Sequence, residues 1–170
     1  MYENRPNRLS EYDYSKTNYY FITACTKNRI CYFGKIINEK MILNKYGEIV
    51  YKQWFWLEKQ YDYVKLDSFI IMPDHIHGIL FINNPVGAGR DLHLQGQKHK
   101  IKPLSELIGA FKMTSSKEIH KHGLHNFQWQ RSFYDNIIRD EESIHPIRKY
   151  IYENPIKWEL NKNNPSNIYM

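Results

Sequence analysis

His75 and His77 are separated by one residue, Ile76. In an extended segment residues i and i+2 share a face, so both imidazoles point one way while Ile76 points the other, into a core. Two neutral imidazoles side by side can hold a divalent cation. Taken alone the pair specifies little, because such spacings also occur on ordinary strand surfaces and in cores. The second group is Tyr150 and Asn154, in the run from 150 to 154 that precedes Pro155. On a helix these two side chains lie about 40° apart. They sit at one edge of the apolar stripe made by Ile144, Ile147 and Ile151, and Tyr152 lies towards the other edge. A phenol ionises near ~10 and is a poor nucleophile at neutral pH unless activated. A metal that polarises the electrophile makes the attack feasible. The Asn154 amide oxygen would supply a third, hard ligand beside the two histidines. The competing reading of Tyr150 is a packed aromatic, one of 14 tyrosines in the chain. Only its pairing with Asn154 argues against that.

Several elements must position these groups. Residues 18–26, β-branched and aromatic, read as a strand. From about 39 to 60, Ile42, Tyr46, Ile49, Val50, Trp54 and Leu57 recur at gaps of three and four, which predicts an amphipathic helix weakened by Gly47. Residues 63–73 place Val64, Leu66, Ile70 and Met72 on one face of a strand ended by Pro73. Residues 75–82 form a further strand after a very short connection, so the two should pair as an antiparallel hairpin. A helix follows from Pro103 to Lys121, with Leu104, Leu107, Ile108 and Phe111 buried and Gly123 just past its end. Residues 129–139 read as a strand in which Trp129, Phe133 and Tyr134 pack on the core or stack on bases. Asp140 or Ser143 caps a last helix that should stop at Asn154, because Pro155 disfavours helical geometry in the residue before it. His145 lies off the Tyr150 face and reads as structural or exposed. This order is β-α-β-β-α-β plus a helix. It predicts an α+β, ferredoxin-like split βαβ with an antiparallel sheet, helices on one face and an extra C-terminal helix carrying the tyrosine.

Length and charge bound the rest. The 170 residues suit one domain with a real core. The expected organisation is a flexible basic arm over 1–17, the domain over 18–158 and a polar tail over 159–170. Within the domain, 83–102 reads as a long Gly-rich basic loop. The net charge of +6 favours a polyanionic partner, and 15% aromatics suits stacking on single-stranded bases. Two cysteines, Cys25 and Cys31, exclude a disulfide scaffold and a four-cysteine zinc site. No apolar run is long enough for a membrane span, and no apolar leader opens the chain, so a reducing cytoplasm is the expected home. Arg90, Lys98, Lys100 and Lys102 in the basic loop, with Arg131, Arg139, Arg148 and Lys149, are candidates for phosphate contact. The alternative for each is a solvated surface charge.

Residues 73–80 (PDHIHGIL), 129–143 (WQRSFYDNIIRDEES) and 150–158 (YIYENPIKW), in that order, resemble the HUH single-tyrosine transposases, and in particular the REP-associated tyrosine transposases of bacteria. The resemblance covers about residues 18–158. It implies His75 and His77 as metal ligands, Tyr150 as nucleophile and Asn154 as an amide ligand. It further implies cleavage and rejoining of single-stranded DNA beside hairpins, through a 5′-phosphotyrosine and a free 3′-hydroxyl, by a monomer or homodimer. Mg²⁺ or Mn²⁺ is the implied cofactor, and two nitrogens with one amide oxygen lean towards Mn²⁺ on ligand softness. Two other functions remain open at this stage. One is a non-catalytic module that holds a nucleic-acid hairpin, whose binding would ignore EDTA. The other is a metallohydrolase with a water nucleophile, which lacks an acidic third ligand, since strand alternation turns Asp74 the wrong way.

Overall fold

Alternation between large apolar and polar residues builds a four-stranded sheet with two dressed faces. The computed structural model describes residues 12–84 and 101–161. Strand β1 (Asn18–Cys25) is followed by a 3-10 turn (Lys27–Arg29) and a small hairpin, β2 (Gly34–Ile37) with β3 (Lys40–Leu43). Then come helix α1 (Lys45–Gln60), β4 (Val64–Met72), β5 (His75–Ile82), helix α2 (Leu104–Lys121), β6 (Tyr134–Ile138) and helix α3 (Glu141–Asn161). The main sheet runs β4-β5-β1-β6, and all three neighbouring pairs are antiparallel. This is the expected split βαβ, in which each crossover helix links two strands that have a third between them.

The two faces carry separate cores. Tyr20, Ile22, Ala24, Ile76, Leu80 and Ile82 meet α1 and α2 through Val50, Trp54, Leu57, Leu107, Ile108 and Phe111. Phe21, Ile79 and Ile138 meet α3 through Ile144 and Ile151. Two helices thus share one face as expected, whereas α3 covers the other. Gly78 makes the first face possible, because a Cβ there would lie 2.5 Å from the Trp54 ring.

Four expectations about the elements need correction. The helix expected from 39 begins at Lys45, and residues 34–43 form the β2–β3 hairpin instead. Asn44 stops the helix from extending backwards: its side chain accepts from the N–H groups of Tyr46 (2.9 Å) and Gly47 (3.1 Å). Ile42, assigned to the helical stripe, therefore lies on β3 and is 47% exposed. Gly47 is required and not merely tolerated, since a Cβ there would come within 2.2 Å of the Phe33 carbonyl oxygen.

The last helix does not stop at Asn154 but continues through Pro155 to Asn161. Proline inside a helix costs about 3 kcal/mol. That cost is offset by burying Pro155 and by a bond from the Glu39 N–H to the Glu159 carboxylate at 2.7 Å in the turn beyond it. Its start is as expected, with Asp140 accepting from the Ser143 N–H at 2.8 Å. The strand expected over 129–139 shortens to Tyr134–Ile138, with Trp129 making only an isolated bridge to Thr26. Trp129 and Phe133 pack in the core, while Tyr134 is exposed.

The described part of the expected arm, residues 12–17, is packed. Tyr12 and Tyr14 lie against Tyr20, and the Tyr14 carbonyl accepts from the Leu104 N–H at 3.2 Å. Partly burying two aromatic rings opposes the entropy of a short polar segment.

Candidate active site

The tight turn at Pro73-Asp74 starts β5 directly on His75. Alternation then sends Ile76 to the α1–α2 core and both imidazoles to the α3 side, as expected. There His77 pairs across the sheet with Thr23 of β1 and with Ile70 of β4. Both histidines are buried, 4% and 6% exposed, and their Nε2 atoms converge at 3.0 Å.

Each ring is anchored through its other nitrogen. His75 Nδ1 donates to the Asp74 carboxylate at 2.6 Å. His77 Nδ1 is bonded to the Thr23 hydroxyl at 2.7 Å. The other Asp74 oxygen accepts from Arg29 Nε at 2.9 Å, and Arg29 Nη1 donates to Cys25 Sγ at 2.6 Å. Asn28 and Arg29 both take left-handed backbone, φ 57° and 56°. Such residues cost on the order of 1 kcal/mol each, and here the guanidinium's two bonds hold that conformation.

The role of Asp74 differs from expectation. It lies in the turn before the strand, so alternation does not apply to it, and it meets His75 directly. It still occupies the nitrogen away from the converging pair, which makes it a support for His75 and not a third ligand. Among the described residues no group of three or more His, Cys, Asp or Glu side chains is arranged to hold a metal ion.

Burial pushes both imidazoles below their usual range. For His75 the Asp74 bond opposes the shift without reversing it. For His77 the neighbouring His75 and Arg29 charges add to the shift, which is large. Both rings are therefore neutral near pH 7, the form that ligates.

Tyr150 and Asn154 reach this place from α3. The Tyr150 hydroxyl stands 3.4 Å from His77 Nε2, with ring centroids 5.2 Å apart. Phe21 wedges the phenol, 6.2 Å away edge-on, and stacks on His77 at 5.6 Å. Lys157 Nζ lies over the Tyr150 ring at 5.1 Å. Two helical turns beyond Tyr150, the Trp158 ring is 5.9 Å from His75. Residues 150, 154 and 158 share one helical face. Asn154, 7% exposed, thus lies between two residues that each touch one of the histidines. No hydrogen bond to its side chain is seen among the described residues.

The donor set fits a divalent cation. Two nitrogens at adjacent corners of one ion, with bonds of about 2.1 Å, would stand about 3.0 Å apart. The observed Nε2 separation matches that span. Asp74 and Thr23 occupy the outer nitrogens, as supports for ligating histidines commonly do. His75, His77 and the Asn154 amide would hold the ion.

The expected phosphate contacts are divided. Arg90, Lys98 and Lys100 lie outside the described residues. Arg148 is engaged by Asp67, with bonds of 2.9 and 2.6 Å from Nε and Nη2, so it ties α3 to β4. That bidentate geometry satisfies the guanidinium better than an isolated surface phosphate contact would. Lys149 pairs loosely with Glu153 at 3.7 Å and Lys102 with Glu106 at 3.9 Å. Arg131, Arg139 and His145 are exposed. A cleft of about 860 Å³ lies between the β2–β3 hairpin, β4 and α3, lined by Phe69, Arg148 and Tyr152 among others, and does not include the histidines.

Thr23, Arg29 and Trp158 were not singled out from the sequence. Thr23 needs the β1–β5 register and Arg29 the left-handed turn, and neither is written in local patterning. Trp158 follows from the 150–154 spacing once the helix is allowed past Pro155.

No described helix is long and apolar enough to cross a membrane. No family model matches the chain. A Haemophilus influenzae protein carrying the description "Uncharacterized protein" is 38% identical over 165 residues, spanning 94% of this chain and 92% of its own length. A solved structure of a REP-associated tyrosine transposase bound to a REP hairpin superposes with a TM-score of 0.57 and 20% identity, over 88% of this chain and 74% of that one. The chain therefore belongs to the same family as the Haemophilus influenzae protein, and its fold is that of a REP-associated tyrosine transposase.

Proposed function

We propose that the protein cleaves and rejoins single-stranded DNA beside a hairpin, with Tyr150 as nucleophile and a divalent cation at His75, His77 and Asn154. The observation that carries this reading is the approach of the Tyr150 hydroxyl to His77 Nε2, 3.4 Å, where two neutral imidazoles converge. A packed tyrosine has no need of such a neighbour. The hairpin-bound structure that shares the fold supports the choice of substrate.

The chemistry follows from the side chains. The Tyr150 oxygen attacks a DNA phosphorus, a P–O bond to tyrosine forms and the P–O3′ bond breaks. The phenol proton is given up and the leaving 3′ oxygen takes one, so the products are a 5′-phosphotyrosine and a free 3′-hydroxyl. The phosphodiester is exchanged and not hydrolysed, so a 3′-hydroxyl can reverse the step and join strands. When bound, Mg²⁺ or Mn²⁺ supplies Lewis-acid polarisation of the phosphate. The chain orients the phenol through Phe21 and α3, keeps the imidazoles unprotonated by burial, and sets their direction through Asp74 and Thr23.

The test is incubation with an end-labelled hairpin-bearing single strand and Mn²⁺. A covalent protein–DNA adduct is expected, and it should vanish in Tyr150→Phe and on adding EDTA. An adduct that persists in Tyr150→Phe would reject the nucleophile. Tight hairpin binding that ignores EDTA and yields no adduct with any divalent metal would instead identify a binding module.

A further inference from the structure

Tyr150 meets different chemistry on its two flanks. From the sheet, His77 approaches its hydroxyl and Phe21 packs against its ring. From α3 itself comes Lys157, seven residues on, which falls about 20° short of two full turns and so overhangs the phenol. Its Nζ lies 5.1 Å from the ring centre. The lysine side chain is 47% exposed, so a solute that reaches Tyr150 can also reach the ammonium. Glu153, one turn earlier, shares its carboxylate between two lysines, Lys157 at 3.3 Å and Lys149 at 3.7 Å. Two ammonium groups against one carboxylate leave this ridge of α3 with an excess positive charge. Exposed ion pairs of this kind are weak, so an incoming anion displaces Glu153 at little cost.

Helix stabilisation accounts for the two i, i+4 pairs. It gives no reason for the cation to overhang the same phenol that His77 meets. The neighbouring cations are placed differently: Arg148 is engaged by Asp67, and Lys149 lies about 100° around the helix from Tyr150. We propose that Lys157 is a catalytic residue of this site: its ammonium donates to a non-bridging oxygen of the scissile phosphate and offsets the charge that builds there as the Tyr150 oxygen bonds to phosphorus. The proposal rests on the reading of Tyr150 as nucleophile. In a near-attack arrangement the phosphorus stands about 3–3.5 Å from the hydroxyl. Its non-bridging oxygens then fall within the sweep of a lysine stem whose head already lies over the same ring. Charge in such a transfer is spread over those oxygens, and a lysine meets it as a point charge. The P–O bond to tyrosine forms and the P–O3′ bond breaks as before, while Lys157 keeps all its protons. Its contribution is to rate more than to hairpin affinity, because the interaction strengthens as the transition state forms.

The experiment separates rate from affinity. Adduct formation is followed in single turnover, with the full chain in excess over an end-labelled hairpin-bearing single strand and Mn²⁺, and hairpin affinity is measured apart from it in EDTA. Lys157→Met, which keeps the stem and drops the charge, should slow adduct formation by about 10- to 100-fold, less than loss of a sheltered donor would. Its hairpin affinity should stay within about threefold, as for the loss of one exposed charge, and its thermal midpoint should hold. Lys157→Arg, which restores a charged donor, should stay within about threefold of the original rate.

An unchanged rate in Lys157→Met overturns the proposal and leaves the Tyr150 reading intact. So does a loss of affinity equal to the loss of rate, which would make Lys157 a general DNA contact. A thermal midpoint that falls with the rate, or a Lys157→Arg as slow as Lys157→Met, overturns it too, because packing and not charge would then be the cause. An original chain that forms no adduct overturns both.

Discussion

Arg148 grips Asp67 through two parallel hydrogen bonds, 2.9 and 2.6 Å, and so pins helix α3 to edge strand β4 two residues before Tyr150. Hydrogen bonds to charged groups are worth about 1.5–3 kcal/mol when sheltered and less when half exposed. Asp67→Ala should therefore lower stability by about 1–2 kcal/mol in urea denaturation. It should lower adduct yield more than hairpin binding, because it loosens the seat of the phenol and not the DNA surface. Equal losses in both would show that the pair serves stability alone.

The same pair gives a pH dependence. The Arg148 hydrogen bond holds the Asp67 carboxyl below its ordinary value of 3.8. Between the folded and unfolded values the unfolded chain binds more protons, so stability rises with pH across that window. The contribution is complete above the unfolded value and is lost as pH falls through the folded one. Urea midpoints measured from about pH 5 down to about pH 2.5 should fall less steeply in Asp67→Asn than in the original chain.

Metal binding should be visible without DNA. A ligand that binds only the folded state adds about 2.7 kcal/mol at a hundred times its dissociation constant. Mn²⁺ should raise the melting temperature of the original chain, EDTA should reverse the rise, and His75→Ala or His77→Ala should abolish it. An unchanged rise in both variants would place the ion elsewhere.

Gly78 separates the two faces of the site strand. A Cβ at this position would stand 2.5 Å from Trp54, so Gly78→Ala should cost about 1–3 kcal/mol by overpacking. Adding Trp54→Phe, which shortens the ring, should recover part of that loss. Thermal or chemical denaturation of the single and double variants checks it. Additive losses would mean that the ring is not the obstacle.

The chemistry-bearing residues were legible because their spacing survives folding. An i, i+2 pair needs only a strand and an i, i+4 pair only a helix. The sheet order was legible too, since one short turn at 73–74 and two crossover helices leave few arrangements. Less legible was anything that depends on which strands meet. Thr23 reaches His77 because β1 lies beside β5, and no local pattern near residue 23 announces a hydrogen-bond partner for a histidine 54 positions away. The β2–β3 hairpin was hidden because Ile42 falls in phase with the α1 stripe, and Asn44 outweighs that periodicity. Proline at 155 misled for a related reason: local backbone preference pointed to a stop, and burial against the sheet carried the helix on to Trp158.

Strand β5 gives its odd positions to the reacting side and its even positions to the core beneath α1 and α2. Slipping this strand by one residue would hide the imidazoles among aromatic rings and strand Ile76 beside the tyrosine. A chain folded wrongly here would also lose the arrangement that the proposed cleavage requires, so the pleat of a single strand would guard against cutting by a misfolded copy.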